Sequence, residues 1–346
     1  MEWGFALNIL KKLTPKSTGG RIALISVTAV VLVIAILAGL FYYYFGGLQS
    51  SGEMDTENLS INSTLPTETG IVNVALFGID KAANNSDVIM ILSLNYDKNE
   101  IKLISIARDT RANIPGYGER KINTAYTFGG PQLAIQTLNN NFHLNIKDYV
   151  TVDFEQFKDV IDALGGVTVE ITEAERKAAN GLIYSTFGAV PQIQSSGEVH
   201  LNGTQALCYS RIRKLDSDNV RTQRQKKVLL AVLAELRTKN VLEYPGIIKS
   251  VLPMVTTSFD YFDLMGMSQF ISITNIQETF FPHEKNEAFA GMAYGYWYYI
   301  YDLDQAADMI HAFIYEDIHP DNYGESSSDS SSSGAASASS TSSRAS

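Results

Sequence analysis

The strongest constraint in the sequence is the run from Ile22 to Phe45, twenty-four residues without a charge and rich in Val, Ile, Leu and Ala. At about 1.5 Å rise per residue a helix of this length spans roughly 36 Å, enough for a bilayer core of about 30 Å. A cleaved signal peptide has a shorter apolar core and a small-residue cleavage site. This run instead ends in "GLFYYYFGG", an aromatic belt that suits a membrane interface. The expectation is an uncleaved, single-pass transmembrane anchor over residues 22–45. Lys11, Lys12, Lys16 and Arg21 precede the span, and Glu53, Asp55 and Glu57 follow it. The positive-inside rule then leaves residues 1–21 in the cytoplasm and the remainder outside the cell membrane.

Composition divides the outer portion. Residues 46–70 are polar, Ser/Thr-rich and acidic, and are expected to form a flexible stalk. At the other end, the last twenty-one residues contain thirteen serines and almost no apolar side chains, so residues 316–346 are expected to be a disordered tail. That leaves residues 71–315 as the folded domain. The single cysteine, Cys208, permits no intrachain disulfide. A formal net charge of -10 argues against a general nucleic-acid binder, because no basic surface dominates.

The domain opens with three strand-like runs, "IVNVALFGID", "DVIMILSLN" and "IKLISIARD". The turn-like "YDKNE" joins the last two into an antiparallel hairpin. Apolar spacing predicts a helix from Gln132, a strand in "DYVTVDF", a helix in "EQFKDVIDALGG" closed by glycine, and a strand in "VTVEIT". "ALCYSRIR" alternates like a strand. Residues 219–239 have helical spacing, with Asp218 placed to cap them. Mixed strands and helices with at least one hairpin imply an α/β fold, a mixed β-sheet flanked by helices.

Two clusters stand out. If the hairpin is centred between Asp97 and Lys98, Asp87 lies near Arg108 and Asp109 across the pair, and a neighbouring first strand brings Asp80 to the same rim. Two carboxylates beside an arginine suit a hard divalent cation, Mg²⁺ or Mn²⁺, completed by phosphate oxygens. Ordinary strand-end salt bridges would have the same spacing. The second cluster runs from Arg211 to Lys227 and holds seven cations against two anions in seventeen residues. A period of two puts Arg211 and Arg213 on one strand face. Arg221, Arg224, Gln225, Val228 and Val232 share one helical stripe, so the arginines point with the apolar residues towards the core, leaving Lys226 and Lys227 for the solvated side. Inward arginines near a helix N-terminus need an anion, and planar guanidinium forks suit phosphate. Pairing with Asp216, Asp218 or the hairpin aspartates is the alternative.

The segments "FGID", "SDVIMILSLN", "IKLISIARDTRANIPGYGERKINTAYTFGG", "YVTVDFEQFKDVIDALGGVTVEI" and "LNGTQALCYSRIRKLDSDNVRTQRQ" closely resemble the LytR-CpsA-Psr family in order and spacing, from about Val72 to Glu235. The resemblance implies an extracellular phosphotransferase that moves a cell-wall glycopolymer from an undecaprenyl-pyrophosphate carrier onto peptidoglycan. It implies Mg²⁺ at the pyrophosphate and an apolar tunnel for the prenyl lipid between sheet and helices. By motif, Asp80 and Asp87 belong to the metal site. Arg108, Arg211, Arg213, Arg221 and Gln225 hold the pyrophosphate, and Asp109 either orients an arginine or helps to deprotonate the acceptor. Two positions depart from the pattern: Asn85 stands where the second motif commonly has arginine, and Ala107 where proline usually precedes Arg108. A hydrolase with water as acceptor, or a non-catalytic protein that binds lipid-linked phosphates, would present a similar site. The run from Tyr294 to Tyr301 holds six aromatics in eight residues; it suits core packing, sugar stacking or membrane contact.

Overall fold

The computed structural model describes residues 54–65, 70–212 and 218–324. The expected anchor over 22–45 lies outside them, as do Arg213 and residues 325–346. Among the described residues no helix is long and apolar enough to cross a membrane.

A six-stranded sheet organises the domain. Its strands are β1 (Ile71–Asp80), β2 (Asn85–Asn95), β3 (Glu100–Ile106), β6 (Asp148–Asp153), β9 (Thr256–Thr257) and β10 (Ile276–Phe281), in the order β10-β3-β2-β1-β6-β9. β1–β2, β2–β3 and β6–β9 pair antiparallel, and β1–β6 and β10–β3 parallel, so the sheet is mixed. Three two-stranded pairs surround it: β4 (Arg111–Ile114) with β5 (Gly118–Lys121), β7 (Val167–Ile171) with β8 (Gly197–Leu201), and β11 (Phe289–Ala293) with β12 (Tyr296–Ile300). The helices are α1 (Thr124–Phe142), α2 (Phe154–Leu164), α3 (Glu173–Phe187), α4 (Gly203–Ser210), α5 (Asp218–Thr238), α6 (Tyr244–Val251), α7 (Tyr261–Met267) and α8 (Leu303–Glu316).

Alternation along the strands builds two different faces. Ala75, Phe77, Ile79, Ile89, Ile91 and Ile104 bury one face against Ile135, Leu138 and Phe142 of α1 and Ile310 and Phe313 of α8. The opposite face presents Leu76, Gly78, Val88, Met90, Val150 and Val152 to α2 and α5. Here the packing is incomplete. A cavity of about 150 Å³ is lined by those residues with Phe157 and Leu229. A second, about 320 Å³, shares Val150 and continues over Leu92, Leu94 and Ile101 beneath α5, α6 and α7. Both linings are mostly apolar, so the sheet carries an apolar channel on one side and a filled core on the other. Gly78 matters to this wall: a Cβ there would lie 2.8 Å from Val88 Cγ2.

Several expectations change. "ALCYSRIR" is not a strand: α4 ends at Ser210 and Arg211 is its C-cap. Asn202 caps α4 reciprocally with Gln205, and this short helix is buried nearly all round, which erases any amphipathic signal. The stalk does not extend through residues 54–65. Leu59 is fully buried, its carbonyl accepts from Asn139 Nδ2 at 2.8 Å, and Asn62 N donates to the Leu144 carbonyl at 3.0 Å. Nor does the tail begin at 316. Asp317 pairs with the buried Lys102, and His319 bonds the Glu278 carbonyl at 3.1 Å. Burying one Leu and satisfying one buried ammonium hold these polar segments on the domain.

Candidate active site

The hairpin register makes the first half of the site. Asn95 faces Glu100, so the turn is centred between Asp97 and Lys98. Gly78 pairs with Val88 but Ile79 pairs with Ser86, which leaves Asp87 as the extra residue of a β-bulge. A bulge re-aims its side chain. Asp87 turns to the channel face and accepts from Arg108 Nη1 at 2.7 Å. Arg108 Nε also reaches Asp109 Oδ2 at 3.3 Å, while Lys121 Nζ donates to Asp109 Oδ1 at 2.6 Å. Asp109, only 4% exposed, thus has both oxygens engaged and holds Arg108 in place. Of the two roles open to Asp109, this geometry is that of orienting an arginine.

The second half comes from α5 and the end of α4. Asp87, Arg108, Asp109, Arg221 and Gln225 line one narrow pocket of about 10 Å³. Asp87, Arg221 and Gln225 also line a larger cavity of about 500 Å³, whose walls include Arg211, Ser185 and Thr186. Arg211 is exposed and lies over the Phe154 ring, 4.4 Å from its centroid. Gln225 is the hinge of the arrangement, because it also lines the apolar channel. Arg221 is 4% exposed; it has partners of its own, but its Nε and Nη1 make no hydrogen bond among the described residues. So Asp87, Arg108, Asp109, Arg211, Arg221 and Gln225 converge. Arg213 lies outside the described residues.

Asp80 is placed differently. It ends β1 opposite Asn85, and its Oδ1 accepts from Ala82 N at 2.9 Å, closing the turn. It lines neither of these cavities. Across the ladder its partner Asn85 is two residues from the bulged Asp87. Two carboxylates are too few for an all-protein metal cage, and among the described residues no group of three or more His, Cys, Asp or Glu side chains is placed to hold a metal. Of the two, only Asp87 lines the cavities beside the arginines; a carboxylate there is of the kind that holds Mg²⁺, which keeps several waters and is commonly bound by one or two carboxylates plus phosphate oxygens.

Neighbouring charges are spoken for. Arg224 shares the Arg221 stripe, but its Nε donates to Glu175 at 2.8 Å and its Nη1 to the Ile212 carbonyl at 3.3 Å, both buried. Burial raises the Glu175 pKa, but hydrogen bonds from Thr172 and Arg224 outweigh it and hold the carboxyl below its ordinary value. Internal pairing therefore accounts for Arg224. Lys226 is not on a solvated face either: it pairs with Glu278 on β10 at 2.6 Å with 14% of its side chain exposed. Only Lys227 of that pair is exposed. Asn85, at the position where the family motif commonly has arginine, accepts from Thr127 Oγ1. Nearby, Lys121 pairs with Asp109, and Arg111 with Glu119 and the Tyr294 ring. Cys208 lines the larger cavity, but burial pushes its thiol up to about 11, the reverse of an activated nucleophile.

The aromatic run supplies the turn and second strand of the β11–β12 hairpin, and its attachment to the site was not legible in the sequence. Tyr298 and Tyr301 pack inward, as core packing requires, yet Tyr299 N donates to the Asp109 carbonyl at 3.0 Å and its side chain lines the Arg108–Arg221 pocket. The sequence offered only composition, six aromatics in eight residues, with no sign of what the run packs against.

The LytR_cpsA_psr family model matches residues 42–313. A protein of Oceanobacillus iheyensis named polyisoprenyl-teichoic acid–peptidoglycan teichoic acid transferase TagU is 34% identical over 241 residues, covering 64% of this chain and 72% of that protein. The protein of the same name from Bacillus mycoides is 30% identical over 254 residues, covering 71% and 78%. Among solved structures, B. subtilis TagT superposes with a TM-score of 0.62 at 25% identity, over 77% of this chain and 99% of that one. TagT bound to LIIa-WTA superposes with a TM-score of 0.63 at 25% identity, over 76% and 99%.

Proposed function

Because the chain belongs to the LytR-CpsA-Psr family, we propose that it is a phosphotransferase that moves a glycopolymer of the teichoic-acid class from a polyprenyl-pyrophosphate carrier onto peptidoglycan. One observation carries this reading. A cavity that carries the charged side chains of Asp87, Arg211 and Arg221 among apolar walls meets, at Gln225, an apolar channel running under the sheet. A diphosphate head joined to a long hydrocarbon, such as undecaprenyl, requires these two environments side by side. The names of the relatives supply the acceptor and the polymer class.

In the proposed reaction a peptidoglycan hydroxyl attacks the phosphorus that bears the glycan. A new P–O bond forms to the acceptor, the P–O bond to the lipid phosphate breaks, and the carrier leaves as its monophosphate. The hydroxyl proton passes to solvent. Phosphoryl transfer requires little covalent chemistry from the protein; charge stabilisation and alignment dominate. Arg108, oriented by Asp109 and Asp87, faces the developing charge together with Arg211 and Arg221, and Arg213 joins them by its place in the family motif. Mg²⁺ bound by Asp80 and Asp87 would neutralise pyrophosphate oxygens, with Mn²⁺ as an alternative of the same hardness.

The test is product analysis. The full-length protein with Mg²⁺, a polyprenyl-pyrophosphate-linked glycan and peptidoglycan should yield glycan on peptidoglycan and lipid monophosphate. Free phosphorylated glycan would identify a hydrolase instead, and binding without turnover a non-catalytic lipid-phosphate protein.

The proposed setting is the outer face of the cell membrane, with Ile22 to Phe45 as the anchor and the N-terminus cytoplasmic. The charge asymmetry around the span and the lipid-linked substrate support it. Protease added outside intact protoplasts should then digest the chain beyond Gly46. Complete protection would overturn the orientation and with it the role in wall assembly.

A further inference from the structure

The geometry points to a sugar-stacking track on the β11–β12 hairpin, Tyr299 leading to Trp297, that receives the acceptor glycan. This rests on the transferase reading and adds where the second substrate lies. Cross-strand pairing puts Tyr299 opposite Ala290 and Trp297 opposite Met292, so the two aromatics share one face of the hairpin. Tyr299 lines the pocket with Arg108, Asp109 and Arg221. Trp297 stands one step further out, edge-on to Tyr299 with ring centroids 4.8 Å apart. Met292, beside it, is 67% exposed. The track therefore begins in the phosphate pocket and ends in solvent.

The hairpin is held rather than loose. Tyr299 bridges Thr110, Thr110 Oγ1 lies 3.2 Å from the Tyr301 hydroxyl, and Tyr298 on the opposite face is buried with Lys121 Nζ 5.9 Å from its ring centroid. Rigid, half-exposed aromatic rings offer flat apolar faces at little entropic cost, which suits the apolar faces of pyranose rings.

Placement selects the acceptor over the donor. The apolar channel lies over β1, β2 and β6 and takes the carrier. The 500 Å³ cavity, walled by α3 and Arg211, is roomy, carries Ser185, Thr186 and the charged Asp87, Arg211 and Arg221 among apolar walls, and takes the donor glycan. The hairpin is fixed to residues that follow β3, on a third side of the same phosphate pocket. An attacking hydroxyl must approach from a side that neither donor arm fills, and a sugar on Tyr299 would place one beside Arg108.

The experiment uses the full-length chain with Trp3→Phe, which leaves Trp297 as the sole tryptophan because the chain has two. The probe is a soluble, lipid-free tetrasaccharide of alternating N-acetylglucosamine and N-acetylmuramic acid. Its addition should shift Trp297 emission saturably, and the shift should persist when Arg221→Lys is added. In transfer assays Trp297→Ala should raise the acceptor KM about tenfold, the worth of one good stacking contact, and leave the donor KM unchanged. Trp297→Phe should restore most of that loss. A shift with phosphatidylglycerol vesicles but not with the glycan would overturn the proposal in favour of membrane contact. No shift with either, or a raised donor KM, would also overturn it. A glycan-dependent shift in a protein that fails to transfer would support the glycan site and count against the transferase reading alone.

Discussion

Arg221→Ala is expected to lower turnover of a polyprenyl-pyrophosphate donor by about 10²- to 10³-fold, the usual cost of removing one preorganised charge-stabilising donor. Arg221 lines both cavities beside Asp87 and is 4% exposed, so its guanidinium acts where water screens little. Arg221→Lys keeps the charge but loses the planar fork, and should fall between the alanine variant and the parent. The thermal midpoint separates this from a folding effect. Arg224, one turn along the same stripe, is the control: Arg224→Ala removes the only cation paired with the buried Glu175 among the described residues, leaving it the Thr172 hydrogen bonds, and should cost about 3 kcal/mol of stability. The expected pattern is a folded, inactive Arg221 variant and a destabilised Arg224 variant. A folded Arg221→Ala protein with near-parental turnover would remove the pyrophosphate assignment from α5.

That contrast also shows where sequence reasoning stopped. The stripe of Arg221, Arg224, Gln225, Val228 and Val232 was legible, because helical periodicity is local. Which arginine meets a ligand and which meets Glu175 was not, because Glu175 lies 49 residues away and reaches Arg224 only through packing of α3 on α4 and α5. The same limit applies to Lys226, whose partner Glu278 sits on β10. The hairpin register was legible from "YDKNE", and with it the Asp87–Arg108 pair. The bulge at Asp87 was not, since one extra residue leaves no compositional mark. α4 misled for a different reason. Its residues alternate as a strand would, and the Asn202–Gln205 capping box was the one local signal for a helix. With α4 helical, Arg211 reaches the cavity from a helix C-terminus and from above Phe154, not from a strand face.

The bulge makes Asp87 the second residue whose loss should be severe. Asp87→Ala would remove a hard oxygen ligand and also release Arg108 Nη1 from its 2.7 Å contact. The two losses should together lower turnover about a hundredfold or more. Asp87→Asn separates them. The amide keeps the volume and an acceptor for Arg108 but carries no charge, so Arg108 stays oriented while affinity for a divalent cation falls. If Asp87 is a metal ligand, the asparagine variant should need much more Mg²⁺ for half-maximal turnover, and calorimetric titration of Mg²⁺ into the donor-bound protein should show weaker binding. Asp80→Asn should move the same two readouts in the same direction by less, because Asp80 Oδ1 is already occupied by the Ala82 N–H and the residue lies outside the cavity walls. Were Asp87 only a strut for Arg108, Asp87→Asn would retain most turnover with an unchanged Mg²⁺ requirement, and only Asp87→Ala would fail. Were both variants fully active with the parental Mg²⁺ dependence, the strand-end carboxylates would be structural salt-bridge partners, and charge stabilisation would rest on Arg108, Arg211 and Arg221 alone.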